Sequence, residues 1–278
     1  MSSRQWRSKI SGTKRGFELS LGVLSDSHSI AVSTTRRALC ALGLFAVAAG
    51  VFYGVFSAVE YPWNWSGVWH YREQFVNGWV TTMGLALVAM VVSIAFGFLL
   101  MLGRRARWLP VRMGCGSVVE VVRGSPLLVQ LLIGHYIIAQ ALNIDQPLFT
   151  GILLLGCFEG AYLAEIFRGA VESISASQLE AARAVGFSRA QTYRFVIIPQ
   201  ALRRALPGTT GQMVSLIKDS SLLSVIGIEE LVQKVKIMNA ANFAPLEGYL
   251  PLALAYLVVT LPLSHLARRL EGRFAYET

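Results

Sequence analysis

The sequence predicts an all-α integral membrane protein, and three observations support this prediction. Of its 278 residues, 54% are hydrophobic and 15% are charged, whereas soluble domains have about 25% charged residues. Several uncharged apolar runs reach about twenty residues, the length of helix that crosses about 30 Å of hydrocarbon. The alternating pattern of a half-buried strand is not evident in the sequence.

The N-terminal part divides into three segments. Residues 1–37 are polar and basic, so we expect a mostly disordered cytoplasmic tail. Residues 38–59 carry no charge and predict an extra N-terminal transmembrane helix. A cleaved signal peptide is the alternative, which the long basic leader disfavours. Residues 60–78 are rich in Trp and Tyr, which predicts a surface helix in the outer headgroup layer, with an aromatic ligand platform as the alternative.

Five further spans are predicted. Gly124 and Pro126 interrupt the second of these, so they either kink the helix or mark a cytoplasmic lead-in. The fourth is polar and should face protein or a water-filled path. We interpret residues 229–248 as a loop and residues 271–278 as a cytoplasmic tail. The five predicted spans are 79–103, 114–142, 148–167, 206–228 and 249–266.

The distribution of Lys and Arg predicts the orientation. The net charge is +9, and 20 of the 25 Lys and Arg residues fall in segments that face inward when both termini are cytoplasmic. The outer loops hold three. This asymmetry follows the positive-inside rule. It also accounts for the basic composition without a nucleic-acid partner.

A polar stretch at residues 175–200 interrupts the apolar runs and has the punctuation of two short helices. Two S-x-x-E/Q patterns, Ser177 with Glu180 and Ser188 with Gln191, predict capping boxes. Gly186 suits the left-handed position that ends a helix. Because proline cannot continue a helix, Pro199 should end the second one near Ile198. The stretch is therefore predicted to form a cytoplasmic helix–turn–helix.

This stretch resembles the EAA loop of ABC-transporter permeases. Segments 122–130, 161–169 and 218–227 are similar to blocks of the polar amino-acid importers in that family, and the resemblance covers roughly residues 75–270. The residues that match the loop pattern are Glu180, Ala181, Ala182, Gly186, Val196, Ile198 and Pro199.

The resemblance implies a type I ABC importer fold with five core helices at 79–270, preceded here by one N-terminal helix. It implies a bacterial inner-membrane permease that acts with a second permease subunit, ATP-binding subunits and a periplasmic or lipoprotein solute-binding protein. ATP and Mg would be bound by the partner ATPase, and the substrate would be a polar amino acid or related solute. The residues implied in coupling to the ATPase are Glu180, Ala181, Ala182, Gly186, Phe187 and Pro199.

Polar residues within the predicted spans are candidates for the substrate path. Glu159, Glu165 and Asp219 would contact the ammonium group of an amino acid, because a carboxyl group in a span should face protein or water. The alternative is pairing with Lys218 or Arg123, or polar contact between helices. Ser220 is a fourth path candidate. Like the neighbouring serines, it alternatively serves close helix packing.

The sequence carries no Walker A loop, zinc motif or nucleophile elbow, so we do not expect an enzyme or a resident cofactor. Cys40, Cys115 and Cys157 suggest small core or lipid-facing residues. His135 is either a functional group in a span or a hydrogen-bonding partner between helices. The main alternative function is a secondary transporter of small solutes driven by an ion gradient. A membrane enzyme and a recruiting scaffold remain further alternatives.

Overall fold

The structure is a computed structural model that describes residues 34–58, 61, 63–242 and 245–274. The predicted tail up to residue 33 and the last four residues of the C-terminal tail lie outside these ranges. The chain separates into two units, residues 1–62 and 63–278. The first contains helix α1, Thr34–Ser57, in which the rings of Phe52 and Phe56 lie 4.2 Å apart.

The second unit is built from helices. Short helix α2 precedes the long helix α3, which begins at Arg72 rather than at the predicted Trp79. α4 and α5 follow, and a π-helical segment, Gly134–Ala139, extends α5. α6 then runs back through the core. The bounds are α2 Ser66–His70, α3 Arg72–Arg104, α4 Leu109–Gly124, α5 Leu127–Ile133 and α6 Pro147–Glu172.

After α6, two short helices and a π-helical turn form the polar stretch. A long helix then leads into a 3-10 segment that ends at Gly227, whose φ of 80° lies in the left-handed region. Two helices complete the chain. The bounds are α7 Ala176–Ala184, α8 Arg189–Thr192, the π-helical turn Tyr193–Ile197, α9 Ile198–Asp219, the 3-10 segment Ser220–Ile226, α10 Leu231–Asn242 and α11 Pro245–Phe274.

Glycines allow α3 and α6 to pack closely through the core. A Cβ atom on Gly97 would lie 2.7 Å from the carbonyl oxygen of Gly160, and one on Gly160 would lie 3.0 Å from that of Ser93. These distances leave no room for a side chain, so the two helices meet backbone to backbone. Around this contact lies a buried cluster that includes Leu85, Leu131, Leu155, Leu163, Leu216 and Leu223.

Three described helices are long and apolar enough to cross a membrane: α3, α6 and the part of α11 from Leu246 to Arg273. α4 and the helical stretch Leu127–Ala139 would form a fourth span, bent by 109°. The predicted interruption at Pro126 is therefore present. Of the other two predicted spans, α1 is described as an apolar helical stretch over Leu42–Ser57, and α9 is too polar to meet the same criteria.

The prediction of a loop at residues 229–248 is wrong, because α10 occupies much of it. Glu230 caps this helix, since its carboxylate accepts hydrogen bonds from the N–H groups of Val232 at 3.0 Å and Gln233 at 2.9 Å. Leu231, Val235 and Met238 bury one face of it. The charged residues of the segment obscured this apolar periodicity in the sequence.

Candidate functional site

The polar stretch forms a projection, defined here as residues 175–197. Its turn has the hydrogen bonds of a Schellman motif, from Phe187 N–H to the Ala182 carbonyl at 3.0 Å and from Gly186 N–H to the Arg183 carbonyl at 3.0 Å. Gly186 has a φ of +84° and no heavy atom within 4 Å of a Cβ built on it. The prediction that Gly186 ends a helix in the left-handed conformation is confirmed, and backbone conformation rather than crowding explains the glycine.

The second helix of the projection has the predicted capping box. Gln191 N–H donates to Ser188 Oγ at 3.3 Å, and Ser188 N–H donates to the Gln191 side chain at 2.8 Å. The first predicted box is wrong. α7 begins at Ala176, so Ser175 rather than Ser177 occupies the N-cap position. The N-terminus of α7 has no side-chain cap hydrogen bond, and Glu180 supplies none.

Pro199 does not end the second helix, so that prediction is also wrong. The chain passes from α8 through the π-helical turn Tyr193–Ile197 directly into α9, and Pro199 lies in the first turn of α9. Pro199 thus lies at the junction where the π-helical turn gives way to the regular α-helical hydrogen-bond pattern. The projection is consequently continuous with α9, rather than joined to it by a loop.

The projection presents its side chains outward. Within α7, Ala182 alone is buried, while Glu180 and Ala181 are exposed. Apolar side chains at and beyond the turn are also exposed: Val185 by 71%, Phe187 by 37% and Phe195 by 59%. The rings of Phe187 and Phe195 lie 6.1 Å apart and form one apolar patch. Such a patch beside polar helices is typical of a protein-binding surface.

The Glu180 carboxylate has no hydrogen-bond or ion-pair partner among the residues that the structure describes. Glu180 does not cap its own helix, and it pairs with neither Arg183 nor Arg194. Arg194 instead lies over the ring of Phe195, 5.8 Å from its centroid.

In the interior, Glu159 lies on α6 with no exposed surface, and its Oε2 accepts a hydrogen bond from the side-chain amide of Gln212 on α9. Its Oε1 has no partner in the described chain. Asp219, at the end of α9, is partly buried and lies close enough to interact with Glu159. Ser220 is buried and donates to the Ile217 carbonyl at 2.8 Å, as expected of a packing serine.

Glu165 lies nearer the projection and is held by arginines. It pairs with Arg104 of α3 and with Arg168 at 2.6 Å, and Arg123 of α4 approaches to 3.8 Å. Pairing with Arg123 was one of the alternatives from the sequence. Arg104 and Arg168 were not anticipated as partners of Glu165. This carboxylate is thereby occupied within the chain, whereas Glu159 keeps one free oxygen atom.

The described residues contain no group of three or more His, Cys, Asp and Glu side chains that could hold a metal ion. His135 is buried and its Nδ1 has no partner among them. Two regions of the structure are therefore candidate functional sites. One is the outward-facing projection, and the other is the buried polar pair between α6 and α9.

Comparison with known proteins identifies the family. Residues 101–276 match the family described as binding-protein-dependent transport system inner membrane component. The chain is 38% identical to the glutamine transport system permease protein GlnP of Escherichia coli K12, over 76% of this chain and 97% of that protein. It is 27% identical to the arginine ABC transporter permease protein ArtQ of the same strain, over 69% of this chain and 91% of that one.

Solved structures agree with these relatives. An amino acid ABC transporter crystallised with histidines matches with a TM-score of 0.71 and 30% identity, over 77% of this chain and all of that one. The MetNI methionine ABC transporter, 17% identical with a TM-score of 0.57, shares the fold. The predicted type I importer fold is thus confirmed. The chain belongs to the inner membrane components of binding-protein-dependent transport systems and is a permease subunit of an ABC importer.

Proposed function

We propose that this permease subunit imports polar amino acids and that its projection docks into a separate ATP-binding subunit. The observation that carries the docking proposal is Glu180, a carboxylate without a partner among the described residues, on the same exposed helical projection as the apolar patch of Phe187 and Phe195. An acid without a partner in the part of the chain that the structure describes, on a projection that also exposes aromatic rings, suits a surface that is completed by another protein.

ATP and Mg would be bound by that partner, since this sequence has no phosphate-binding loop of its own. The exposed Ala181 is small enough to let α7 lie close to a groove, while the buried Ala182 packs α7 against its own chain. Gly186 sets the turn that presents Phe187. Pro199 lies in the first turn of α9, the helix that continues into the membrane domain. Docking at one end of this continuous path is what coupling to ATP hydrolysis requires.

The names of the relatives support an amino-acid substrate, because they include glutamine and arginine permeases and an amino acid transporter. Glu159 and Asp219 are the path residues that we propose to meet the substrate ammonium group, since Glu159 keeps a free oxygen atom. Ser220, which begins the 3-10 segment after α9, is the fourth path candidate and directly follows Asp219. Glu165 would close the cytoplasmic end of the path through its arginine pairs.

The remaining partners follow from the family. We propose a second permease subunit, identical or related, and a solute-binding protein on the outer side of a bacterial inner membrane. The excess of Lys and Arg in the segments assigned to the cytoplasm supports an orientation with both termini and the projection inside. No nucleic acid is involved.

Co-purification tests the docking proposal. The tagged chain is purified in mild detergent, and the retained ATP-binding subunit is identified by mass spectrometry and by its ATP hydrolysis. Glu180→Ala and Phe187→Ala should each reduce the retained subunit. Glu120→Ala, which removes an exposed acid from α4, is the matched control and should retain it fully. Equal retention by all three variants would contradict the proposal.

Uptake tests the substrate. Proteoliposomes that contain the complete complex should accumulate radiolabelled glutamine or arginine when ATP is supplied. Excess unlabelled polar amino acids should compete, whereas sugars should not. Competition by sugars alone would exclude an amino-acid importer while leaving the docking proposal intact.

A further inference from the structure

The two ends of the projection are joined by one arginine. Arg204 on α9 donates from Nη1 to the Ser173 carbonyl oxygen at 2.5 Å and to Ser173 Oγ at 2.8 Å. Ser173 is the residue that follows α6, and its own N–H donates to the Gly169 carbonyl at 2.9 Å. The contact therefore links the helix that enters the projection to the helix that leaves it, across 31 positions of sequence.

Physical chemistry favours this contact. The last carbonyl groups of a helix have no partner within the helix and carry partial negative charge. A guanidinium group at the end of α6 suits these carbonyl groups, because it donates hydrogen bonds to them and its positive charge is attracted to their partial negative charge. Arg203, the neighbouring residue, is exposed and makes no hydrogen bond or ion pair with described residues. The two arginines carry the same charge, so their position on α9 determines which of them contacts Ser173.

The link continues inward along α9 at one-turn intervals. One turn beyond Arg204, a Cβ atom on Gly208 would lie 3.0 Å from Cγ2 of Ile166 on α6, so the helices are in close contact there. One further turn along, Gln212 donates to Glu159 of α6. Three successive contacts therefore join α6 and α9 from the base of the projection to the buried carboxyl group.

α6 is in turn held to its other neighbours at the same end. Glu165 pairs with Arg104 of α3, and Arg168 pairs with both Glu165 and Glu172 within α6. Among the described residues α9 makes no ion pair, so its charge-assisted connection to α6 at this level is the Arg204 contact. Opening that contact would free the outgoing helix of the projection from the incoming one.

We propose that Arg204 is a positioning residue that clamps the base of the projection, so that force applied there moves α6 and α9 as one body. This inference rests on the proposed docking of an ATPase to the projection. With the clamp closed, movement of the projection reaches the Glu159–Gln212 pair. With the clamp open, the projection moves without carrying α6 and α9 together, and part of the movement is lost.

The test compares Arg204→Ala, Arg204→Lys and Arg203→Ala in the reconstituted complex with its ATP-binding subunit and solute-binding protein. The readout is the number of solute molecules imported per ATP hydrolysed, together with the amount of ATPase retained. A residue that only stabilises the fold would lower import and hydrolysis in proportion. A clamp residue lowers import more than hydrolysis, so the ratio falls.

Arg204→Ala should lower the ratio about threefold, which corresponds to losing one partly exposed charge-assisted hydrogen-bonded contact. Arg204→Lys should restore most of the ratio, because an ammonium group still donates to a carbonyl. Arg203→Ala should leave the ratio unchanged. If Arg204→Ala does not assemble, Arg204→Gln replaces it, since its amide is too short for the same contact.

The outcomes separate the two proposals. An unchanged ratio in Arg204→Ala with normal ATPase retention overturns the clamp and leaves docking intact. An equal fall in Arg203→Ala also overturns the clamp, because charge rather than the contact would then be responsible. A wild-type chain that retains no ATPase overturns the docking proposal, and the clamp with it.

Discussion

Glu159 and Glu180 lie on helices that are close in sequence, yet their surroundings are opposite. Glu159 is fully buried and its partner, Gln212, belongs to the same chain. Glu180 is exposed and has no partner among the described residues. A polar group inside a membrane must be satisfied by protein or by water, and at Glu159 the chain itself satisfies Oε2 while Oε1 has no partner among the described residues. At Glu180 the described residues satisfy neither oxygen atom, which is expected of a surface that another protein completes.

The same contrast holds for the glycines. Gly97 and Gly160 are required by crowding, since a Cβ atom would meet backbone of the facing helix. Gly186 is required by its φ of +84°, with open space around it. Substitutions at the crowded interior glycines should therefore affect folding, whereas substitutions at Gly186 should affect coupling in a folded protein. Four predictions test this division.

The largest effect is expected for Gly160→Val. The added side chain would overlap the carbonyl of Ser93 and force α3 and α6 apart. We expect a destabilisation of about 3 kcal/mol, with loss of monodisperse protein in detergent. Gly84→Val on α3, where nothing lies within 4 Å, is the control and should unfold near the wild-type temperature. Similar thermal unfolding of both variants would remove the crowding argument.

Gly186→Val should abolish most ATP-driven uptake while the protein inserts and unfolds normally. A β-branched residue at this φ is strained by roughly 1–3 kcal/mol, so the Schellman turn should rearrange and displace Phe187. Gly186→Asn is the control, because Asn adopts the left-handed conformation more readily. Uptake and thermal unfolding are measured together. Normal uptake by the valine variant would show that the turn has no part in coupling.

Glu159→Gln should separate function from folding in the interior. The amide keeps the size of the side chain and can still pair with Gln212. The variant lacks the charged carboxylate that is proposed to contact the substrate ammonium group. Uptake at limiting substrate should therefore fall about tenfold, while thermal stability stays unchanged. Gln212→Glu is the companion variant. Full uptake by Glu159→Gln would remove this residue from the path.

The smallest effect is expected for Glu165→Gln. This carboxylate is 20% exposed and pairs with Arg104 and Arg168, so its loss should cost about 1 kcal/mol of stability. Glu172→Gln, which removes a more exposed carboxylate from the same arginine, should cost less. Denaturant titration of the purified protein distinguishes them. A larger loss of stability in Glu172→Gln than in Glu165→Gln would contradict the conclusion that the Arg104–Glu165 pair between α3 and α6 contributes more.

The sequence predicted features that depend on neighbouring residues. Gly186 and the Ser188–Gln191 box were correct because backbone conformation and capping are set within a few residues. The break at Pro126 was predictable for the same reason. The family resemblance supplied the fold, since hydropathy alone did not specify how the helices pack.

Features that depend on distant residues were missed. Gln212 was not identified as the partner of Glu159, because 53 positions separate them and no local pattern encodes the contact. The same holds for Arg204 and Ser173. Helix α10 was missed because its charges masked its buried face, and the helix through Pro199 was missed because the π-helical turn before it is not evident from composition.

The source of energy tests the central claim most directly. Proteoliposomes are prepared with this chain alone and with the complete complex, and uptake is measured with ATP or with proton and sodium gradients. The proposal predicts uptake only by the complete complex with ATP on the side of the projection. Uptake by the chain alone, driven by an ion gradient without any ATP-hydrolysing protein, would contradict it.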